Sequence, residues 1–393
     1  MVASDGGGDA AAQHLENLAG EVVGRGLRRI HVLAWRDLDD PDAGGSEVHA
    51  DEFMRRWAEA GLEVTHRTSA AVDLSHEDTR NGYRVIRRGG RYSVFPRTFA
   101  SEIAGRMGPY DALVEIWNGV PWFSPIWART PNVTFIHHVH GPMWDQIFPR
   151  PVSDVGRLLE TRIAPLAYRR TPILTPSEST REELLEVGFR PDRVQSIPNG
   201  VDSFFSPGGS RSPDPLVIAV GRQAPVKRYA ELIAQVDIAR QRVPNLRHRL
   251  LGEGPERPHL LNLSAGKGWI ELPGRVGRDE LLDAYRSAWL VVSASLDEGW
   301  GLTLTEGAAS GTPCVATDIR GHRSSVQDGE TGVLVPLARL GDTIAAVLLD
   351  APSREALGAA ALDWARSLSW DAVAQRILET LAEQVRGASG PGR

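Results

Sequence analysis

Short apolar runs, most of them rich in β-branched residues, punctuate this sequence. Each gives way to a polar or glycine-bearing loop and then to a stretch of helical period. Arg29-Ile30-His31-Val32-Leu33-Ala34 predicts a first strand, residues 62–65 a second, and residues 111–116, 132–136 and 172–175 three more. Between the first two, Val48, Phe53, Met54, Trp57 and Ala58 predict a helix, with Ser46 as its N-cap. Further helices are predicted around residues 155–168 and 179–187. The pattern restarts at Leu216-Val217-Ile218-Ala219-Val220, followed by a helix through Ala239 and strand-to-turn units at residues 249–255 and 270–275. A strand at residues 289–295 leads through a glycine loop to a helix at 304–310, stopped by Gly311 and Pro313, and then to a strand at 311–317. Alternation continues to Val335, and a last helix covers residues 369–385. Apolar runs this continuous belong to parallel strands covered on both faces, so the fold class is α/β.

At 393 residues the chain is long enough for two such domains. The Gly/Ser/Pro-rich residues 205–215 read as the linker, placing one domain at 27–205 and a second at 206–369. Residues 1–26 are Gly/Ala-rich and are expected to be a flexible or loosely docked segment with one short helix over 10–23.

Composition narrows the function. A formal net charge of -6 argues against nucleic acid as the main partner. No apolar run is long enough to cross a bilayer, and the N-terminus lacks the basic and apolar regions of a signal peptide. The single cysteine, Cys314, falls in a predicted strand, which fits a core position and a reducing cytoplasm. Arginine has nearly displaced lysine, leaving only Lys227 and Lys267. A retained lysine marks a place that needs a compact charge.

The candidate chemistry centres on Glu298-Gly299-Trp300-Gly301-Leu302-Thr303-Leu304-Thr305-Glu306, between a strand's carboxyl end and a helix start. Ligands of open α/β sheets bind there, glycines admit a ligand to the backbone, and free N–H groups suit a phosphate. Two carboxylates in this run can each accept hydroxyls, as a sugar or ribose would offer. Arg222 and Lys227 flank another strand-to-helix turn, within reach of a diphosphate, and Gly44-Gly45 is a possible anion cradle. There is no G-x-G-x-x-G after the first strand, which disfavours a nicotinamide dinucleotide. Trp117, Asn118 and Trp122, near Trp127 and Trp144, suggest an aromatic acceptor pocket, although tryptophan also fills cores. Arg84, Arg87, Arg88 and Arg91 among Tyr83, Tyr92 and Phe95 suggest two short strands with basic outward faces over residues 80–97, mostly solvated. An acidic acceptor or an anionic lipid is the minor alternative for that run. His137-His138-Val139-His140 could suggest a metal, but no further cluster completes a ligand set.

The paired glutamates, the Gly221-Arg222…Lys227 run and Ile197-Pro198-Asn199-Gly200-Val201-Asp202 resemble the signatures of retaining GT-B glycosyltransferases of glycosyltransferase family 4. The resemblance covers residues 29–385. It implies two Rossmann-like domains facing across a cleft, with the last helix, about residues 370–386, returning to the first domain. It also implies hexosyl transfer from a nucleotide sugar to a hydroxyl with retained configuration and no metal or other cofactor, by same-face attack in which the leaving diphosphate takes the acceptor proton. UDP-hexose is favoured over GDP-hexose as donor. The acceptor is expected to be a small molecule, an envelope precursor or a lipid head group, and membrane contact at most peripheral. On this reading His137, Arg222, Lys227 and Glu298 are catalytic. Gly44, Gly45, Arg275, Gly299, Trp300, Gly301, Leu302 and Glu306 join Arg222, Lys227 and Glu298 in holding the donor. His138 joins Trp117, Asn118 and Trp122 on the acceptor side, and Asp37-Leu38-Asp39, despite its D-x-D spacing, is solvated loop charge. A sugar-nucleotide epimerase, a phosphorylase with Lys267 as Schiff base, and a catalytically silent binding protein remain as alternatives.

Overall fold

A computed structural model of the chain describes residues 6–388. It divides into two compact units: the chain up to Gly200 together with Trp370 onward, and Val201–Ser369.

The first unit is built on β1 (Arg29–Leu33), β2 (Glu63–Thr68), β3 (Glu77–Arg80), β4 (Tyr83–Arg87), β5 (Ala112–Trp117), β6 (Asn132–Ile136), β7 (Ile173–Thr175) and β8 (Val194–Ser196). They form one sheet in the order β3-β4-β2-β1-β5-β6-β7-β8. All its pairings are parallel except β3 with β4. Ile30, Val32, Leu113, Val114, Val133 and Phe135 are fully buried, as apolar strands covered on both faces require. The helix Gly45–Glu59 packs Phe53, Met54 and Trp57 into this core. Its N-cap is Gly44 and not Ser46, because the Glu47 carboxylate turns back to accept the Gly44 N–H at 2.7 Å.

Two helices at the ends of the chain meet in this unit. Trp370–Ala388 is tied to the helix Gly45–Glu59 by the Trp57 indole N–H, which donates to the Ala374 carbonyl at 2.9 Å. Arg56 pairs with Asp371 at 2.9 Å in the same contact. The N-terminal segment is not loose over residues 6–24. It is a helix, Gly6–Gly24, that buries Leu15, Leu18, Ala19 and Val22 and packs on Trp370–Ala388. Residues 1–5 of that expectation lie outside the described residues.

The basic run at residues 80–97 is one strand-bearing hairpin arm and then a helix, Val94–Ile103, instead of two strands with basic outer faces. Arg87 is buried at 1% side-chain exposure, paired with Asp37 at 2% and with Asp39 at 2.9 Å. Asp39 also pairs with Arg80, Arg91 with Asp42, and Arg84 and Arg88 with Glu77. Asp37 is therefore a buried counterion and not solvated loop charge.

The second unit carries β9 (Leu216–Val220), β10 (Arg247–Leu251), β11 (Ile270–Gly274), β12 (Leu290–Ser293), β13 (Cys314–Thr317) and β14 (Gly332–Val335). They form a wholly parallel sheet in the order β11-β10-β9-β12-β13-β14. Cys314 is buried in β13, and burial pushes its thiol up to about 12. The stretch expected as a linker is strapped to this unit. Phe205 packs edge-on against Tyr285, and the Arg211 guanidinium donates to Thr312 Oγ1 and the Gly311 carbonyl at 2.5 Å each.

The buried pair fixes a stability prediction. Arg87→Met leaves Asp37 buried without its cation and should cost about 3–5 kcal/mol in chemical denaturation. Arg84→Met, which removes an exposed pair with Glu77, should cost less than about 1 kcal/mol. Equal losses for the two variants would refute the distinction.

Candidate functional site

Strand order reverses in the second unit between β9 and β12, and the loops that leave their carboxyl ends converge there. The loop after β9 is fixed from two sides. Gly221 N–H donates to the Leu251 carbonyl at 3.0 Å, and Gln223 N–H to the Glu253 carbonyl at 2.7 Å. A side chain at Gly252 would overlap the Gly221 carbonyl, so the loops after β9 and β10 lie in backbone contact. From the other side, Leu296 N–H donates to the Val226 carbonyl at 2.8 Å, joining the loop after β12 to the same turn.

That turn, Pro225–Lys227, aims the Lys227 ammonium at the Glu298 carboxylate, and the two form an ion pair. Ser295 Oγ donates to the same carboxylate oxygen at 2.8 Å. Burial is the largest influence on Glu298 and would raise its pKa, but the Lys227 charge, His322 and the hydrogen bonds from Lys227 and Ser295 together outweigh it and hold the carboxyl below its ordinary value. Arg222 is exposed on the same loop.

Glu298 and the residues after it rest on the segment that follows β13. A Cβ at Gly321 would overlap the Glu298 carbonyl oxygen, so only glycine lets these backbones meet. His322 is buried beside them, its Nδ1 at 2.7 Å from the Thr317 carbonyl and its Nε2 at 3.4 Å from Ser293 Oγ. The carbonyl contact fixes the proton on Nδ1. Ser325 Oγ donates to the Trp300 carbonyl at 2.8 Å, and the Trp300 ring is itself buried. Gly299-Trp300-Gly301 thus presents backbone at the start of the helix Leu302–Ala309, where Gly301 is left-handed at φ 102. Glu306, further along that helix, accepts from the Tyr285 hydroxyl at 2.7 Å, and burial raises its pKa to about 7. Arg275 is exposed at the end of β11, three strand spacings from β12, or about 14 Å.

The arrangement sets a cation, a carboxylate held ionised, helix-start backbone and a second carboxylate at one end of a parallel sheet. It can take an anion and several hydroxyls of one extended ligand. Lys267 lies before β11, at the opposite end of the strands, 5.9 Å over the Trp269 ring. A Schiff base there would be remote from these groups, which removes the phosphorylase reading.

In the first unit Gly44 and Gly45 are exposed at a helix start, but the Gly44 N–H is already taken by Glu47, whose other oxygen pairs with Arg36 at 3.1 Å. Asn118 Nδ2 donates to Ser46 Oγ at 2.9 Å, which brings the loop after β5 to the start of the helix Gly45–Glu59. Trp117 and Trp122, expected to line an acceptor pocket, are core residues. The Trp117 indole donates to the Gly119 carbonyl at 2.8 Å and packs on Tyr168, and the Trp122 indole donates to the Ile116 carbonyl at 3.1 Å. The cause is Glu115, a buried carboxylate that gathers Trp122 N–H, Ser124 and the Tyr168 hydroxyl and draws this loop inward. His137 is also buried, its ring edge-on to His49 at 4.9 Å between centroids, and burial holds it neutral. His138 is less buried and stacks on His140 at 4.4 Å.

Sequence reading missed Ser295, Tyr285 and His322. Ser295 was visible, three residues before Glu298 at the strand's end. Tyr285 and His322 carry no local signal, since each meets the glutamate loop only through the fold.

Two family models match successive parts of the chain: Glycosyltransferase Family 4 over residues 43–203 and Glycosyl transferases group 1 over residues 201–364. The D-inositol 3-phosphate glycosyltransferase of Kribbella flavida is 30% identical over 423 residues, covering 91% of this chain and 96% of that relative. Among solved structures, sucrose-phosphate synthase from Thermosynechococcus elongatus superposes with a TM-score of 0.77 at 19% identity, covering 92% of this chain and 100% of that one. Anabaena HepE in complex with UDP-glucose gives 0.70 at 17% identity, covering 90% and 99%.

The raised Glu306 pKa has a sign that can be checked. The folded state holds this proton more tightly than the unfolded chain, so its contribution is full below about pH 4.5 and is lost as pH rises through about 7. Glu306→Gln should therefore gain stability relative to the parent across that window, in melting curves taken from pH 4.5 to 8. A parent–variant difference that stays flat with pH would refute the assignment.

Proposed function

The chain belongs to glycosyltransferase family 4, and on that premise we propose that it is a retaining, metal-independent hexosyltransferase acting on a nucleotide sugar. Its GT-B fold consists of two α/β units with parallel sheets. UDP-hexose is the favoured donor and GDP-hexose the second choice, which the likeness to a UDP-glucose complex supports. The names of the curated relatives support D-inositol 3-phosphate as the first acceptor to assay. The single buried cysteine supports a cytoplasmic setting. Among the described residues no helix is long and apolar enough to cross a membrane.

One observation carries the reading: Lys227 and Glu298 meet at the switch point of the second sheet, beside the backbone that opens the helix Leu302–Ala309. In this reaction the bond from the anomeric carbon to the diphosphate breaks and a bond to the acceptor oxygen forms on the same face. The acceptor proton passes to the departing diphosphate oxygen. Lys227, Arg222 and the helix start stabilise the charge growing there. Glu298 already accepts hydrogen bonds from Lys227 and Ser295, and its low pKa suits it to accept sugar hydroxyls instead of giving up a proton. Glu306 takes the ribose diol. Asp37 and Asp39 are engaged by Arg87 and Arg80, which supports charge neutralisation by side chains instead of a divalent ion.

Three measurements test this. Lys227→Ala and Arg222→Ala should each lower kcat/KM by about 100-fold or more. Near-normal turnover in both would sink the phosphate site. Chelator should leave activity intact, and loss restored by a divalent ion would restore the metal reading. In calorimetry, Glu306→Gln should weaken UDP and UDP-glucose alike, whereas Glu298→Gln should weaken only UDP-glucose and leave UDP equal or tighter, because Lys227 is released from its partner. Equal weakening of both ligands by Glu298→Gln would remove that residue from the sugar.

A further inference from the structure

In the first unit, residues 152–167 turn an apolar face outward. They run as the helix Val152–Leu158, a π-helical turn Leu159–Ile163 and the short helix Ala164–Ala167. The inward positions are small or polar: Ser153, Gly156, Glu160 and Ala164 are buried at steps of three or four. Gly156 lies against the Trp144 ring. Glu160 accepts the N–H groups of His140 and Gly141 at 2.8 Å and the Trp144 indole at 3.1 Å. The opposite face carries Val152, Val155, Leu158, Ile163 and Leu166, each between 41 and 73% exposed. A helix normally turns such residues toward a core, and a contiguous patch of them marks a binding surface.

The margin of this face is cationic. Arg150, Arg162, Arg169 and Arg170 are exposed around it. The nearby acids Asp145 and Asp154 both pair with Arg157. A cavity of about 260 Å³ opens beside Leu166, with Arg169, Arg170 and Gln384 in its wall. This happens in a chain whose formal net charge is -6, where Arg80, Arg84, Arg87, Arg88 and Arg91 are committed to their own acids. A second copy docked about a two-fold axis would set this cationic margin against itself. An anionic bilayer surface satisfies the apolar face and the arginines together.

We propose that this face docks the protein on an anionic phospholipid surface. Val152, Val155, Leu158, Ile163 and Leu166 enter the headgroup–acyl boundary, and Arg169 and Arg170 take a headgroup phosphate at the cavity. The proposal is independent of the donor site.

The test is sedimentation of the full chain with vesicles of phosphatidylcholine alone and with added phosphatidylglycerol, at low and high salt. Binding should require phosphatidylglycerol and fall with salt. Leu158→Glu with Leu166→Glu, and Arg169→Glu with Arg170→Glu, should each lower the partition coefficient by about 10-fold or more. Val72→Glu, at a position 82% exposed elsewhere in this unit, should leave it unchanged. All these side chains are exposed, so melting curves should match the parent, and Leu166→Ser alone should give an intermediate loss. Absence of vesicle binding, equal binding to both compositions or equal binding by all variants overturns the proposal. So does a concentration-dependent dimer that Leu158→Glu with Leu166→Glu abolishes, which would assign the face to a second copy.

Discussion

Backbone crowding at the carboxyl ends of the second sheet is the constraint on which the site rests. With no side chain at Gly252, the loop after β10 lies against the Gly221 carbonyl, and with none at Gly321, the segment after β13 lies against Glu298. Those contacts, together with the Leu296–Val226 hydrogen bond, bring a lysine and a glutamate 71 positions apart into one ion pair. The strand order supplies the place: β9 and β12 are the neighbours at which the order reverses, the switch point where ligands of open α/β sheets bind. Position comes from the backbone, and the charged side chains only finish what it sets up.

The first unit meets a different demand. It buries several charged side chains close to its core, and it supplies partners for them. Arg87 answers Asp37, Arg36 answers Glu47, and Glu115 and Glu160 are satisfied by backbone N–H, hydroxyl and indole donors. Burial raises the pKa of Glu115 and Glu160 even so. Buried charge of this kind is costly if a partner is lost, which ties these segments to one arrangement.

Much of this was legible in the sequence because the signal was local. The apolar runs gave the parallel strands, and the close spacing of Glu298, the glycines and Glu306 gave the strand–loop–helix unit. What escaped reading depended on partners far along the chain. Asp37 looked like loop charge because Arg87 is 50 positions away. Trp117 and Trp122 looked like a ligand platform because nothing local reveals that Glu115 and Tyr168 draw the loop inward. Ser46 was a good cap by type, but Glu47 capped the helix through Gly44 instead. The N-terminal helix looked loosely docked because the surface that covers its apolar face comes mainly from the last helix of the chain.

The Lys227–Glu298 pair has a consequence for discrimination. A simple anion that approaches Lys227 must compete with a carboxylate already in place, and on winning it leaves Glu298 without its cation. A neutral polyol that approaches Glu298 finds one of its two oxygens, Oε1, already engaged by Lys227 and Ser295. On the proposed reading, a molecule that carries negative charge and hydroxyls on one frame relieves both groups at once. The resting site of that reading is a logical conjunction, of which free phosphate or free sugar satisfies only half.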